Sequence, residues 1–210
     1  MAVVAEGGVR VTVVLLGNGA GPRLAAGTEV LRAGSREEGW ARAGGDVVAF
    51  FDTRYEAGPE WALALGAADT VGGYVRPGDG YGWAEWVYYV VEYGWAERLA
   101  AGNVAYRRGA VERIDPLLPG TGVHDARMDV RLARAPGLGA YLRERYAYSR
   151  EWGARQVSPW AAVLRVGLPL LVLARVPWWR RPLTLPGVVV VSVVMAVGEA
   201  AGALNGKVNS

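Results

Sequence analysis

The segment that decides the fold reads Gly45-Asp46-Val47-Val48-Ala49-Phe50-Phe51-Asp52-Thr53-Arg54. An apolar run of strand length that ends abruptly in an acid predicts a buried strand, which delivers Asp52 to the carboxyl edge of an open α/β sheet. A Gly-Pro turn and Trp61 follow. Ligands of such sheets bind outside the carboxyl ends of the strands, so Asp52 is a candidate site residue. The simpler interpretation, that Asp52 only begins a turn, stays open.

The residues before this strand predict a small α/β unit. Residues 9–16 form a β-branched run typical of a strand, and a glycine-rich turn with a proline, 17–22, follows it. Ser35 and Glu38 have the spacing of a capping box, which predicts a short helix ending near Arg42. Strand, turn, helix and strand together favour parallel pairing. The glycine spacing is not G-x-G-x-x-G, so a dinucleotide-binding loop is the weaker interpretation of the turn.

Composition limits the class of protein. The 210 residues suffice for one domain with an appendage. The absence of cysteine excludes a disulfide framework and a cysteine-ligated zinc site. The net charge of +3 comes from arginine, since Lys207 is the only lysine; arginine suits phosphate and lipid head groups alike, so charge does not choose the partner. The first residues lack the features of a secretory signal, and we expect a cytoplasmic start.

The deciding segment resembles the inverting glycosyltransferases of family 2, in which a similar strand leads into D-x-D and then P-x-P-x-W. The resemblance implies a nucleotide-diphospho-sugar transferase-like, Rossmann-like mixed sheet with flanking helices. It also implies Mg²⁺ or Mn²⁺ held by Asp52 against the donor diphosphate. Thr53 and Arg54 stand where further acids would be expected, which argues against a metal. Arg54 can instead pair with the diphosphate, or it can mark an inactive site.

The front of the family's domain is shortened in this chain. A full domain opens with a strand, a helix and a second strand whose acids hold the nucleoside. Between Leu16 and Asp46 there is room for only part of that, so about one β-α unit is missing. Incomplete donor binding, completion of the pocket by another chain and loss of donor binding are the interpretations left open.

Two further segments bear on the acceptor. Residues 99–108 resemble the family's G-x-N-x-A-x-R-R segment, which implies that Asn103 faces a sugar hydroxyl and that Arg107 or Arg108 meets an anionic donor or acceptor. Trp83 and Trp86 belong to an aromatic segment whose rings can stack on sugars or lie at a lipid interface. Packing in a core or an interface is the competing interpretation for these rings.

Residues 122–132 resemble the segment that carries the family's general base. The family has an E-D pair there; this chain retains Asp125 and has His124, its single histidine, in place of the Glu. Inverting transfer needs a carboxylate that takes the acceptor proton, so the resemblance implies Asp125 as the base. We expect His124 to hold Asp125 by a hydrogen bond or to take protons itself. A helix N-cap at these residues is the alternative.

The chain changes character near its end. We assign residues 1–158 to the glycosyltransferase-like domain and 159–210 to a hydrophobic, membrane-associated segment. As a helix, residues 183–204 would measure about 33 Å, which suffices to span hydrocarbon. We expect residues 160–174 to be interfacial or re-entrant and the later helix to insert or span. A soluble hydrophobic hairpin packed on the core is the alternative.

Glycines recur every four residues in this last helix, at Gly198, Gly202 and Gly206. Such spacing allows close approach of another helix, and Glu199 among them needs a partner if it lies in lipid. The pattern therefore predicts a helix contact or an oligomer.

The sequence thus predicts a membrane-associated glycosyltransferase-like protein on the cytoplasmic face of the cell membrane. It would transfer a sugar with inversion from a nucleotide-sugar, or a polyprenyl-phosphate sugar, to a hydroxyl of a glycan or lipid-linked acceptor. The competing hypothesis is a non-catalytic homologue that binds a partner, such as a complete glycosyltransferase, through the aromatic segment and the glycine-lined helix. Nucleic acid is not an expected partner.

Overall fold

The computed structural model describes residues 9–93, 99–111, 122–154 and 181–208, with side chains of the last helix described over 184–204. The chain divides into two compact units. The first comprises Met1–Gly78 and Ala96–Arg134, and the second comprises Asp79–Trp95 and Ala135–Ser210. This division differs from the expected boundary after residue 158, because the segment 79–95 groups with the C-terminal helices rather than with the sheet.

The first unit is a mixed sheet with a second, smaller sheet and one described α-helix. The elements in chain order are β1 (Val11–Leu16), β2 (Glu29–Ala33), α1 (Arg36–Arg42), β3 (Val47–Asp52), β4 (Tyr55–Ala57), β5 (Thr70–Gly72), β6 (Val75–Pro77), β7 (Asn103–Arg107), β8 (Val123–His124) and β9 (Val130–Leu132). The predicted α/β class with a mixed sheet and flanking helices is confirmed at this level.

The main sheet has the strand order β2-β1-β3-β7-β5-β8. β1 is parallel to β2 and β3, β5 is parallel to β8, and β7 is antiparallel to its neighbours β3 and β5. The five strands other than β7 therefore have their carboxyl ends at one edge. Every residue of β3 is buried. A strand covered on both faces has a nearly continuous apolar sequence, as β3 has up to Asp52.

The capping box before α1 forms much as predicted. The Ser35 side chain accepts from the Glu38 N–H, while the Glu38 carboxylate accepts from the Gly34 N–H at 2.8 Å. Gly39 faces β1, where an added Cβ would overlap the Val14 side chain. The glycine therefore lets the helix lie close against the strand.

The smaller sheet has the order β4-β9-β6. Burial alternates along its strands: Tyr55, Val75, Val130 and Leu132 are buried. The backbone carbonyl of Arg54 accepts from the N–H of Ala133 at 2.9 Å. The chain therefore passes from the main sheet into the smaller one directly after Asp52.

The second unit consists of helices within its described residues: α2 (Trp83–Tyr93), α3 (Leu138–Ala154) and α4 (Arg181–Val208). In α4, Thr184–Leu204 is long and apolar enough to cross a membrane by length and composition, a test that core helices also pass. The prediction for residues 160–174 lies outside the described residues. The predicted close helix approach is present, because a Cβ at Gly198 would lie 2.8 Å from the Tyr146 carbonyl oxygen of α3, and one at Gly202 would overlap the Arg150 carbonyl.

Candidate functional site

The main sheet contains a topological switch point between β1 and β3. From β1 the chain first adds β2 on one side and then β3 on the other. Open α/β sheets bind ligands in the crevice outside the carboxyl ends of the strands at such a point. The last residues of the two strands, Leu16 and Asp52, are in register. Asp52 therefore lies at the place where the topology favours a ligand.

Asp52 and Arg54 form a closed ion pair, which we call the Asp52 clip. One carboxylate oxygen accepts from the Arg54 backbone N–H at 2.9 Å and from Nε at 3.0 Å, and the other accepts from Nε at 3.0 Å and Nη2 at 2.5 Å. The Asp52 side chain is 12% exposed and that of Arg54 is 32% exposed. Both carboxylate oxygens are thus directed at the guanidinium.

Thr53, between these two residues, secures the glycine-rich loop after β1. Its Oγ1 accepts from the Gly19 N–H at 3.0 Å and donates to the Leu16 carbonyl at 3.1 Å. Gly17 has φ +103°, and a Cβ there would lie 2.6 Å from Thr53 Oγ1. The residue that stands where the resemblance expects an acid therefore has a structural role.

Arg32 of β2 is a second residue of this crevice that the sequence analysis did not identify. Its Nη1 donates to the Gly17 carbonyl at 2.8 Å and its Nη2 to the Gly19 carbonyl at 2.9 Å. Hydrogen bonds from Thr53 and Arg32 therefore hold the loop, and the guanidinium of Arg32 places a positive charge beside it. An arginine near the end of a strand gives no sequence signal of such a role.

Asp125 follows β8 and forms a second ion pair of the same geometry, the Asp125 clip, with Arg127. Its carboxylate accepts from the Arg127 N–H at 2.9 Å, from Nε at 3.0 and 3.2 Å, and from Nη2 at 2.6 Å. The hydrogen bond from the Arg127 side chain is the main cause that holds the pKa of Asp125 below its ordinary value. Asp125 is thus ionised, as a base must be, but its basicity is reduced. It also caps a 3₁₀ turn, as the alternative interpretation predicted.

His124 is bound to Asp129, a residue that the sequence analysis did not assign. His124 Nε2 lies 2.7 Å from Asp129 Oδ1, and the ring stacks on Tyr74 with centroids 3.9 Å apart. Arg76 donates to Oδ2 at 2.8 Å. Burial raises the pKa of Asp129, but the hydrogen bonds from His124, the Tyr74 N–H and Arg76 outweigh burial and lower the pKa overall. The expected hydrogen bond from His124 to Asp125 is replaced by this contact with Asp129.

Asn103 occupies the amino end of β7, beside Phe51 of β3, and is fully buried. Its Oδ1 accepts from Trp61 Nε1 at 2.8 Å, and its Nδ2 donates to the Met128 carbonyl at 2.6 Å. The amide is therefore engaged within the protein, whereas the acceptor-binding prediction needs it exposed. This burial argues for a structural role.

Arg107 lies at the other end of β7, paired in register with Val47, the first residue of β3. Its guanidinium is 3.4 Å from Asp69 and donates to the Gly66 carbonyl at 3.2 Å. The structure therefore separates Arg107 from the carboxyl edge where Asp52 lies.

Trp83 and Trp86 belong to α2 of the second unit. Trp86 contacts Tyr81 and Tyr89 edge to face, each at 5.8 Å between centroids. Trp83 is 43% exposed, and a Cβ at Gly187 of α4 would lie 2.9 Å from its ring. Packing within α2 and the residues just before it accounts for the Trp86 contacts, packing against α4 accounts for the Trp83 contact, and a sugar-stacking role stays a prediction.

The remaining predicted residues converge on one edge of the main sheet. Asp52 ends β3, Asn103 begins the antiparallel β7, and His124 and Asp125 lie at the end of β8. β3 and β8 are three strand positions apart, about 14 Å at the usual spacing. The two clips thus lie on opposite sides of Asn103.

Metal binding finds little support in the described residues. They contain no group of three or more histidine, cysteine or acidic side chains placed to hold a metal ion. Asp52 has Arg54 in the position where a cation would bind. The residues present therefore do not fit the Mg²⁺ or Mn²⁺ that the resemblance implies.

Comparison with known proteins adds no assignment. No protein-family model, no curated protein and no solved structure matches this chain.

Proposed function

We propose that the first unit transfers a sugar, with inversion, from a nucleotide-sugar to a hydroxyl acceptor. The observation that carries the proposal is the strand order. It places Asp52 and Arg54 at the switch point and Asp125 at the same sheet edge, about 14 Å away. A donor diphosphate at the first position and an acceptor hydroxyl at the second would then share one crevice edge.

In this proposal Arg54 binds the donor. Its planar guanidinium matches phosphate oxygens, and Arg32 adds positive charge beside the loop. Asp52 orients Arg54 through the clip. No metal enters the scheme, because the residues at Asp52 do not fit one.

Asp125 is the general base of the proposed reaction. Its carboxylate accepts the proton of the acceptor hydroxyl as that oxygen bonds to the anomeric carbon. The bond from the anomeric carbon to the diphosphate breaks at the same time, and the nucleoside diphosphate leaves with that electron pair. Arg127 must turn away to admit the acceptor; its side chain is 47% exposed and has space to do so.

A non-catalytic, partner-binding homologue is the second candidate. The observation that favours it is that both carboxylates are held by neighbouring arginines, which lowers the pKa of Asp125 and weakens it as a base. The shortened front of the domain points in the same direction. The exposed aliphatic residues of α4 could contact a membrane or a partner in such a protein as well as in an enzyme.

We also propose that the protein acts at the cytoplasmic face of the cell membrane, with a glycan or lipid-linked acceptor. The apolar helix Thr184–Leu204 supports this association by its length and composition. An acceptor in the membrane would account for a transferase that carries such a helix.

Calorimetric titration of the detergent-purified protein with UDP and GDP, with and without Mn²⁺, tests donor binding. We expect saturable binding that Arg54→Ala weakens at least about tenfold, the value of a charge-assisted hydrogen bond. Asp52→Ala should weaken binding less, because it only loosens Arg54. Asp125→Asn should bind as the wild type does, because it belongs to the acceptor side.

The matched control is Arg10→Ala, which removes an exposed arginine of another Arg–Asp pair at the start of β3. Loss of binding in this variant would show a general charge effect rather than a site. No binding by the wild type at millimolar nucleotide would overturn the nucleotide-sugar proposal and favour the partner-binding homologue. Nucleotide binding that needs Mn²⁺ and is abolished by Asp52→Ala would instead support a metal site at Asp52.

A further inference from the structure

Helix α4 is apolar on its exposed face as well as on its buried face, where Val188 and Val191 are fully buried. Its described side chains include an exposed, entirely aliphatic set, each member between 42% and 62% exposed, which we call the aliphatic stripe: Leu185, Val189, Val190, Val193, Val197 and Leu204. Its polar residues Thr184, Ser192 and Glu199 are instead buried. A helix in water turns its apolar stripe inward, so this arrangement indicates an apolar medium outside.

The opposite side of α4 is occupied by α3. A Cβ at Gly153 of α3 would overlap the backbone of Glu199, and one at Gly202 would overlap the backbone of Arg150. Small residues allow this close approach, as in helices that pack within membranes. The face of α4 away from the aliphatic stripe is therefore unavailable to lipid over this half of the helix.

Helix α3 needs water along its exposed side. Arg143, Glu144, Arg150 and Glu151 are all exposed. Charged side chains at the centre of a bilayer are costly, and α3 lies against α4 at the glycine contacts. A membrane-spanning α4 would carry these charges into hydrocarbon, whereas an α4 lying flat would leave them on the water side.

We propose that α4 lies in the plane of the membrane, with its aliphatic stripe in the lipid and α3 behind it, and does not cross the bilayer. This inference rests on the membrane association proposed above and is independent of the transferase chemistry. The stripe runs from Leu185 to Leu204, about 28 Å at the helical rise. Together, α4 with its exposed aliphatic stripe and α3 with its exposed charges form one apolar and one charged face, the arrangement by which amphipathic segments bind at the interface.

Charge at the ends of α4 favours lipid over a second copy of the chain as the occupant. The helix begins at Arg181, and Lys207 is its penultimate residue. Two copies packed stripe to stripe would bring cation to cation in either orientation, a like-charge arrangement that costs free energy. Anionic lipid head groups would instead complement both ends.

The chain has no cysteine, so single-cysteine spin labels can measure the depth of α4 in vesicles of phosphatidylcholine and phosphatidylglycerol. Labels at Leu185→Cys, Val193→Cys and Leu204→Cys should report similar depths, about 5–10 Å below the head groups. A label at Glu144→Cys in α3 is the control and should stay accessible to a water-soluble relaxing agent.

A label at position 193 that lies near the bilayer centre, about 15 Å deep, with both end labels shallow would show a spanning helix and overturn the inference. Labels shielded from both oxygen and the water-soluble agent would show that protein covers the stripe, either a second copy or residues 160–174, and would also overturn it. Failure to bind the vesicles would overturn membrane association itself. Nucleotide titration in detergent stays a separate test of the transferase proposal.

Discussion

The Asp52 clip and the Asp125 clip make the same four hydrogen bonds within a D-x-R sequence, yet their surroundings differ. The Asp52 clip lies beside a tied glycine-rich loop, with its aspartate 12% and its arginine 32% exposed. In the Asp125 clip the corresponding values are 18% and 47%. The comparison shows that an arginine two residues after an aspartate can form the same ion pair at two strand ends, whereas the function available to the pair depends on the position of the strand end in the sheet.

Asn103 begins β7, which lies between the strands that carry the two clips, and its loss should have the largest effect on stability. Asn103→Ala would leave the buried Trp61 Nε1–H and the Met128 carbonyl without their partner. Each orphaned buried group costs about 1–3 kcal/mol, so we expect the free energy of unfolding to fall by about 3 kcal/mol or more. Urea denaturation measures this change.

The matched control for that change is Asn18→Ala, in the exposed loop after β1. It should alter the free energy of unfolding by less than about 0.5 kcal/mol. If Asn103→Ala behaved like this control, the buried amide would not be structural, and the acceptor-binding role would regain support.

One glycine lies against Asp52 of the first clip and another against Met128, the residue after Arg127 of the second, and an added methyl group at each should affect stability to different extents. A Cβ at Gly73 would overlap the Met128 carbonyl beside the Asp125 clip, while one at Gly102 would lie 2.8 Å from the Asp52 Cβ. We expect Gly73→Ala to cost about 2–3 kcal/mol, because backbone must move, and Gly102→Ala about 1–2 kcal/mol. Thermal unfolding of both variants tests the order.

Gly109→Ala is the control for these substitutions, since an added Cβ there would meet no atom within 4 Å. It should leave stability unchanged or slightly raised, because alanine restricts the unfolded chain more than glycine does. If Gly102→Ala lost more stability than Gly73→Ala, the proposed order, in which the Gly73 contact is the tighter of the two, would be wrong.

Much of the first unit could be predicted from local sequence. The strands ending at Leu16 and Asp52 and the helix capped by Ser35 are confirmed, because periodicity and capping are determined within a few residues. The partners of Asn103 could not be predicted, since Trp61 and Met128 are distant in the chain. Side chains that meet only through tertiary packing have no regular spacing in the sequence from which their contact could be predicted.

His124 shows the same limit, whereas Arg107 does not. His124 pairs with Asp129 only because a 3₁₀ turn brings them together, and proximity in sequence favoured Asp125. The separation of Arg107 from Asp52 was predictable in principle, since one strand, β7, carries Asn103 and Arg107 at opposite ends. An extended strand of that length places its ends about 13 Å apart.

The smallest expected effect concerns the titration of Asp125. The Arg127 side chain lowers the pKa of Asp125, so Arg127→Ala should raise that pKa towards its ordinary value, as carboxyl NMR can measure. A lowered pKa in the folded state gives stability at pH above the unfolded pKa, and this stability is lost as pH falls through the folded pKa. Wild type and Arg127→Ala should therefore differ in stability at neutral pH and converge in strong acid, and Arg10→Ala should leave the pKa of Asp125 unchanged. If Arg127→Ala leaves the pKa of Asp125 unchanged, the clip does not persist in solution. Asp125 would then be a stronger base than the clip allows. That result would strengthen the transferase proposal against the partner-binding homologue.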